Sequence, residues 1–224
     1  MGYQKINIIT GWITFLIALV VYTLTVEPTA SFWDCGEFIA TSYKLEVPHP
    51  PGAPFFLLMG RMFSLFAGDN VEQVAFWVNM LSVLSAAFTV LFLFWSITHL
   101  AKKMLVKAGD VLNTGQTIAV MGAGLVGGLV CTFSDSIWFS AVEAEVYAMS
   151  SFFTAFVFWA ILKWETINDE SDHNKWLILI AYMMGLSIGV HLLNLVTIPA
   201  LGLIVYFKYV EKIKPNYKCI LIDE

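Results

Sequence analysis

Residues 6–26 read INIITGWITFLIALVVYTLTV, and this stretch decides the fold. It has no charged residue and directly follows Lys5. A helix of about 20 apolar residues spans the ~30 Å hydrocarbon core of a bilayer, whereas the apolar part of a cleaved signal peptide has only about 7–15 residues. We therefore interpret residues 6–26 as a signal anchor that stays in the protein and crosses the membrane.

The rest of the chain is also strongly apolar. Hydrophobic residues make up 58% of its 224 residues and charged residues 13%, with a mean hydropathy of +0.75. A soluble domain carries about 25% charged residues, so the composition excludes an ordinary soluble protein. Further long apolar stretches lie at 74–100, 118–133, 146–162 and 176–207.

The stretch 176–207 is too long for one crossing and short for two. His191 and Asn194 lie near its middle and indicate a tight hairpin with a polar apex, formed by segments 176–190 and 192–207. The sequence thus predicts an all-α integral membrane protein, a multi-pass helical bundle of about six transmembrane segments. We expect these segments to form a single module over residues 1–224 that is part of a longer chain.

The distribution of basic residues gives the orientation. With a cytoplasmic N-terminus, ten lysines lie on the inside and only Lys44 and Arg61 on the outside. This is a strong positive-inside bias, and making 176–207 a single crossing would reduce it to six against six. The inside lysines are Lys5, Lys102, Lys103, Lys107, Lys163, Lys175, Lys208, Lys212, Lys214 and Lys218.

Two pairs of glycines have the spacing of close helix contacts in lipid, Gly124 with Gly128 and Gly185 with Gly189. A dinucleotide-binding reading of the glycines near 122–127 fails because no strand precedes them. The three cysteines are scattered and indicate neither a disulfide framework nor a metal site. Nothing in the sequence indicates nucleic-acid binding.

The first outside loop, residues 27–73, holds the clearest candidate chemistry. If Ser31 opens a helix, Asp34 and Glu37 share one of its faces, while Phe38 and Ile39 lie in the membrane interface. Partial burial of a carboxyl raises its pKa and suits it to proton transfer, so both acids are candidate catalytic residues. The alternative is structural, because Ser31 and Asp34 have nearly the spacing of a helix capping box.

A proline-rich turn follows at 48–54, where four of seven residues are proline. It is non-helical and rigid, and we expect it to bring His49 back toward the Asp34 helix. His49 then binds an anionic group or orients a carboxylate; the alternative is that it simply caps the turn. Arg61 either meets a phosphate or extends to a lipid headgroup.

The second outside loop contributes Glu143, Glu145 and Tyr147, and the hairpin apex contributes His191 and Asn194. On a helix, Glu143 and Tyr147 share a face, whereas Glu143 and Glu145 point in different directions. Acids that enter a membrane segment are costly and usually functional, although near a helix N-terminus they also complement its dipole. We predict that these five residues bind substrate, because clusters from distant segments meet at one membrane face.

The motifs SFWDCGEFIA at 31–40 and VPHPPG at 47–52 resemble the N-terminal signature of a bacterial multi-pass family of unknown function, related to protein O-mannosyltransferases of the GT-C superfamily. The motifs EAEVY at 143–147 and HLLN at 191–194 fall where later motifs of that family do. The resemblance implies a GT-C-like fold, a first periplasmic loop with helical structure, and Asp34 as the first-loop catalytic acid. In the mannosyltransferases the acid pair is adjacent, whereas here two residues separate Asp34 from Glu37.

The function that the resemblance implies is transfer of a hexose, mannose among the candidates, from a polyprenyl-phosphate carrier to a Ser or Thr hydroxyl of a secreted protein. The expected location is the bacterial inner membrane with the active face periplasmic. No metal ligand is assigned, although binding of a divalent cation by Asp34, Glu37 and Glu143 stays open. Two alternatives stay open as well, a transporter or permease and a non-catalytic membrane assembly protein.

Overall fold

The computed structural model describes residues 2–107, 110–167 and 170–220, with side chains at all of these except 170–172 and 211–220. Nine α-helices cover most of these residues. Short 3-10 helices lie at Leu65–Ala67, Val71–Gln73 and Leu192–Thr197. The α-helices are α1 (Tyr3–Thr25), α2 (Cys35–Lys44), α3 (Pro54–Ser64), α4 (Val74–Leu105), α5 (Thr114–Thr132), α6 (Asp135–Ala141), α7 (Val146–Glu165), α8 (Glu170–Ile188) and α9 (Ile198–Ile220).

Five helical segments among the described residues are long and apolar enough to cross a membrane. The predicted all-α, multi-pass membrane fold is therefore confirmed. The predicted segment 176–190 falls largely in α8, which is not one of the five; its apolar part begins only at Trp176 and is shorter than a full crossing. The five segments are Tyr3–Thr25, Val71–Leu105, Thr114–Thr132, Val146–Glu165 and Leu192–Val210.

Helix α4 is the centre of the bundle and packs against α1, α5 and α7. Helix α5 approaches closely because Gly124 and Gly128 lie at the contact. A Cβ atom at Gly124 would lie 2.6 Å from Thr98 Cγ2, and one at Gly128 would lie 2.9 Å from Thr14 Cγ2. The expected small-residue contact is present at this pair. It is not present at Gly185, which faces open space.

The hairpin brings α8 and α9 back to the same end of α7. The imidazole of His173 in α8 lies 4.4 Å from the Trp164 ring, centroid to centroid. The ammonium of Lys208 in α9 donates to the Trp164 carbonyl at 2.8 Å. The turn between them lies at 189–191, before the 3-10 helix.

The two ends of the bundle differ in chemistry. At one end Lys102 lies over the Tyr3 ring, and Lys103 pairs with Glu165. At the opposite end, buried Asn79 donates to the carbonyls of Glu27 and Thr29 at 2.6 and 3.0 Å. This second end, called the loop end below, carries α2, α3 and the loop between α6 and α7.

Candidate functional site

The first loop folds differently from the sequence prediction near Ser31. Helix α2 begins at Cys35 with Asp34 at its N-cap position, and Trp33 before it has a left-handed φ of 62°. The predicted helix start at Ser31 and the Ser31–Asp34 capping box are therefore wrong. The Ser31 hydroxyl instead donates to the Glu143 carboxylate across the site, and the Asp34 side chain is exposed.

The aromatic and aliphatic residues of α2 also have a different environment from the one expected. Phe38 and Ile39 are 5% and 8% exposed. They pack on residues of α3, α4 and α7 instead of lying in the membrane interface. This burial fixes α2 against the bundle, so its N-terminal end and Asp34 have a defined place at the loop end.

The proline-rich turn brings His49 to α2. Its backbone N–H donates to Glu37 Oε1 at 2.7 Å, and its Nδ1 lies 2.8 Å from Glu37 Oε2. The hydrogen bond from His49 lowers the pKa of Glu37, and the same contact raises the pKa of His49. His49 therefore orients a carboxylate, one of the two roles considered from the sequence.

Glu143 and Glu145 lie in the non-helical link between α6 and α7, and Glu145 has extended backbone angles. The prediction that they point to different sites is wrong because it assumed a helix. Both are buried, 3% and 7% exposed, and both face the α2 start: Glu143 binds Ser31, and Glu145 Oε1 accepts from Cys35 Sγ at 3.5 Å.

Burial governs the titration of Glu145 and of its partner Cys35. Removal from water raises the pKa of Glu145, and the neighbouring Glu143 charge adds to the effect. Burial also raises the pKa of the Cys35 thiol to about 12. Cys35 therefore stays a neutral thiol and a hydrogen-bond donor at physiological pH.

A cavity of about 410 Å³, including its open mouth, lies between these elements. Its polar lining comes from three separate parts of the chain. Tyr147 and His191 form one wall, with ring centroids 5.4 Å apart. Leu193 N–H donates to His191 Nδ1 at 3.0 Å, so the neutral ring carries its proton on Nε2. The lining residues are Asp34, Phe38, His49, Pro51, Gly52, Ala53, Glu145, Val146, Tyr147, Val190 and His191.

Three residues predicted to bind substrate do not line this cavity: Glu143, Arg61 and Asn194. The Arg61 guanidinium donates to the Tyr43 carbonyl at 2.7 Å and lies over the Tyr43 ring, at the other end of α2. Asn194 is fully buried, where its Oδ1 accepts from Thr154 Oγ1 at 2.9 Å. The Arg61 and Asn194 side chains hold helices together, and so the structure does not bring them to the candidate site.

Sequence reasoning missed Ser31 and Cys35 as members of the site. Their position beside Asp34 was the available signal, but their partners lie more than a hundred residues away. Ligand atoms of Asp34, Glu37 and His49 lie within 4.8 Å of one another, close enough to share one cation. Glu143, which the sequence left open as a further cation ligand, is not in that group.

Fold and site together define a multi-pass helical membrane protein with an acid- and histidine-lined cavity at one end of its bundle. The chain belongs to the family described as the protein O-mannosyl-transferase TMEM260 N-terminal domain, whose family model matches residues 34–214. The predicted relation to O-mannosyltransferases is thereby confirmed.

Two curated relatives carry the same description. A protein O-mannosyl-transferase tmem260 of Dictyostelium discoideum is 26% identical over 146 residues, which cover 63% of this chain and 15% of the relative. Protein O-mannosyl-transferase TMEM260 of Mus musculus is 27% identical over 175 residues, 78% of this chain and 22% of the relative. The chain thus spans less than a quarter of either relative, and no solved structure matches it.

Proposed function

We propose that the complete protein transfers a hexose, mannose in the first instance, from a polyprenyl-phosphate carrier to a Ser or Thr hydroxyl of secreted proteins. The observation that carries the proposal is the cavity at the loop end, where Asp34 and His49 of the first loop come together with His191 from the distant hairpin. The family and the names of its relatives agree with mannosyl transfer.

Asp34 is the proposed general base. Its carboxylate is exposed at the cavity, and no described residue donates a hydrogen bond to its side chain, so it is available to an incoming hydroxyl. The hydroxyl oxygen forms a bond to C1 of the sugar, its proton passes to Asp34, and the C1–O bond breaks with its electron pair leaving on the lipid phosphate. A base within hydrogen-bond reach is the requirement for such a step.

The histidines have supporting roles in this scheme. His49, held by Glu37, and His191, with its Nε2 proton, offset the charge that develops on the leaving phosphate. Tyr147 and Glu145 complete the walls that bind the sugar or the acceptor. A cation shared by Asp34, Glu37 and His49 would occupy the base, so the proposed route does not use one.

The proposed location is the bacterial inner membrane, with the loop end periplasmic and the N-terminus cytoplasmic. The lysine-rich end of the bundle supports this orientation. A lipid carrier suits the periplasmic side because it brings the activated sugar where nucleotide sugars are scarce. A transporter would place ionisable groups near the membrane centre, whereas the described groups of the site lie at one end.

The test is Asp34→Asn in the full-length protein, with Asp69→Asn as the matched control because Asp69 is an exposed acid in the same loop. Hexose on secreted proteins is measured by mass spectrometry of glycopeptides. Loss of a general base is expected to lower transfer by about 10²- to 10⁴-fold, while the control keeps full transfer. Unchanged modification by an Asp34→Asn protein present at normal abundance would remove Asp34 from its role.

A further inference from the structure

Two buried carboxylates at the loop end each accept a hydrogen bond from a residue close to Asp34 in the sequence. Glu143 accepts a hydrogen bond from Ser31, three residues before Asp34, and Glu145 accepts one from Cys35, directly after it. Burying a carboxylate is costly unless donors satisfy it. The short loop between α6 and α7 therefore binds the chain on both sides of Asp34 through two side-chain hydrogen bonds.

The backbone around Asp34 needs such support. Residues 31–34 precede the helix, and Trp33 is held at a φ of 62°, a conformation that non-glycine residues adopt only when their surroundings impose it. The start of the loop is anchored separately, by the Asn79 side chain and by the Glu27 N–H, which donates to the Val142 carbonyl at 2.9 Å. Between these anchors and α2, the hydrogen bonds of Ser31 and Cys35 fix the position of Asp34.

We propose that Glu143 and Glu145 are positioning residues for Asp34: through Ser31 and Cys35 they hold its carboxylate at the cavity. For Glu143 this replaces the substrate-binding role expected from the sequence, since Glu143 does not line the cavity. The inference rests on the proposed function, with Asp34 as the base. A misplacement of about 1 Å can lower a rate about 100-fold.

Matched substitutions distinguish the effect of losing a hydrogen bond from the effect of changing the side chain. Ser31→Ala and Cys35→Ala remove a donor, whereas Ser31→Thr and Cys35→Ser keep one. Full-length proteins are assayed with polyprenyl-phosphate mannose and a secreted acceptor protein, and kcat and KM are measured separately. We expect each alanine variant to lower kcat by about 10- to 100-fold with the donor KM unchanged, and each conservative variant to stay near the wild-type kcat.

Glu143→Gln provides a second measurement, because its amide oxygen still accepts from the Ser31 hydroxyl. It is expected to retain most of kcat and the wild-type donor KM. A raised donor KM at unchanged kcat in this variant would mean that Glu143 binds substrate and would overturn the inference. Circular dichroism and thermal unfolding establish that each compared variant is folded.

The outcomes also separate this inference from the proposed function. If Asp34→Asn is inactive while Ser31→Ala and Cys35→Ala retain full kcat, positioning by the acids is wrong and the proposed function stands. If Asp34→Asn is fully active, Asp34 is not the base and this inference falls with it, while the proposed hexose transfer stands. Absence of hexose transfer by the wild-type protein would overturn the proposed function itself.

Discussion

Replacing Gly189 by alanine tests how the hairpin is joined to the cavity. Gly189 accepts a hydrogen bond from the Phe55 N–H at 2.8 Å, where α3 begins after the proline-rich turn. A Cβ atom on Gly189 would lie 2.9 Å from Phe55 Cβ, about 0.5 Å inside the 3.4 Å limit of ordinary contact. The obstacle is the start of a neighbouring helix and not a mobile side-chain end, so α3 or the hairpin has to move.

Overpacking of this kind costs about 1–3 kcal/mol. For a chain of this size, each kcal/mol changes Tm by about 2–4 °C, so Gly189→Ala is expected to lower Tm by roughly 2–12 °C. Gly185→Ala is the matched control: it lies four residues earlier, where an added Cβ atom meets nothing within 4 Å. Because alanine is the better helix former by about 0.5–1 kcal/mol, the control is expected to keep or slightly raise Tm.

The assay is thermal unfolding of the detergent-solubilised protein, followed by tryptophan fluorescence and far-ultraviolet circular dichroism. Both variants should have the helix content of the wild type at low temperature. Equal Tm values for Gly189→Ala and Gly185→Ala would refute the close approach of the hairpin turn to α3, and with it the position of His191 beside the proline-rich turn.

Two further predictions concern the cavity's neighbours. The contact with Glu37 stabilises protonated His49 below its ordinary pKa of 6.5, and this stabilisation is lost as pH rises through the raised pKa; Glu37 contributes above its ordinary 4.5 and loses its contribution as pH falls through its lowered pKa. NMR titration should therefore give a His49 pKa above 6.5 in the wild type and a lower His49 pKa in Glu37→Gln. Equal pKa values in the two proteins would contradict the contact between Glu37 and His49. Arg61→Ala removes charged hydrogen bonds worth about 1.5–3 kcal/mol and should lower Tm, but leave donor KM unchanged in the full-length protein; an increased donor KM would return Arg61 to the phosphate site.

The long apolar runs made the fold class predictable, because a bilayer imposes one length on every helix that crosses it. The proline-rich turn at 48–54 was informative for a similar reason, since fixed φ angles leave few paths for the chain. It predicted that His49 returns to α2, and the structure places His49 against Glu37. Such constraints are local in sequence.

The errors came from contacts between residues far apart in sequence. The expected directions of Glu143 and Glu145 assumed a helix, yet the chain is non-helical there and both acids face α2. Ser31 had the residue type of a helix cap, but a distant carboxylate took its hydroxyl. Arg61 was a candidate for phosphate binding, whereas its guanidinium donates to the Tyr43 carbonyl at the end of α2. Neither the type of a residue nor its spacing from its neighbours identifies partners that lie far away in the sequence.

The most direct measurement is a structure of the full-length protein with a polyprenyl-phosphate hexose bound. Density for the sugar and its phosphate is expected in the cavity lined by Asp34, His49 and His191, with C1 of the sugar on the side of the Asp34 carboxylate. A donor bound at the lysine-rich end, or at the loop end but out of reach of Asp34, would contradict the account.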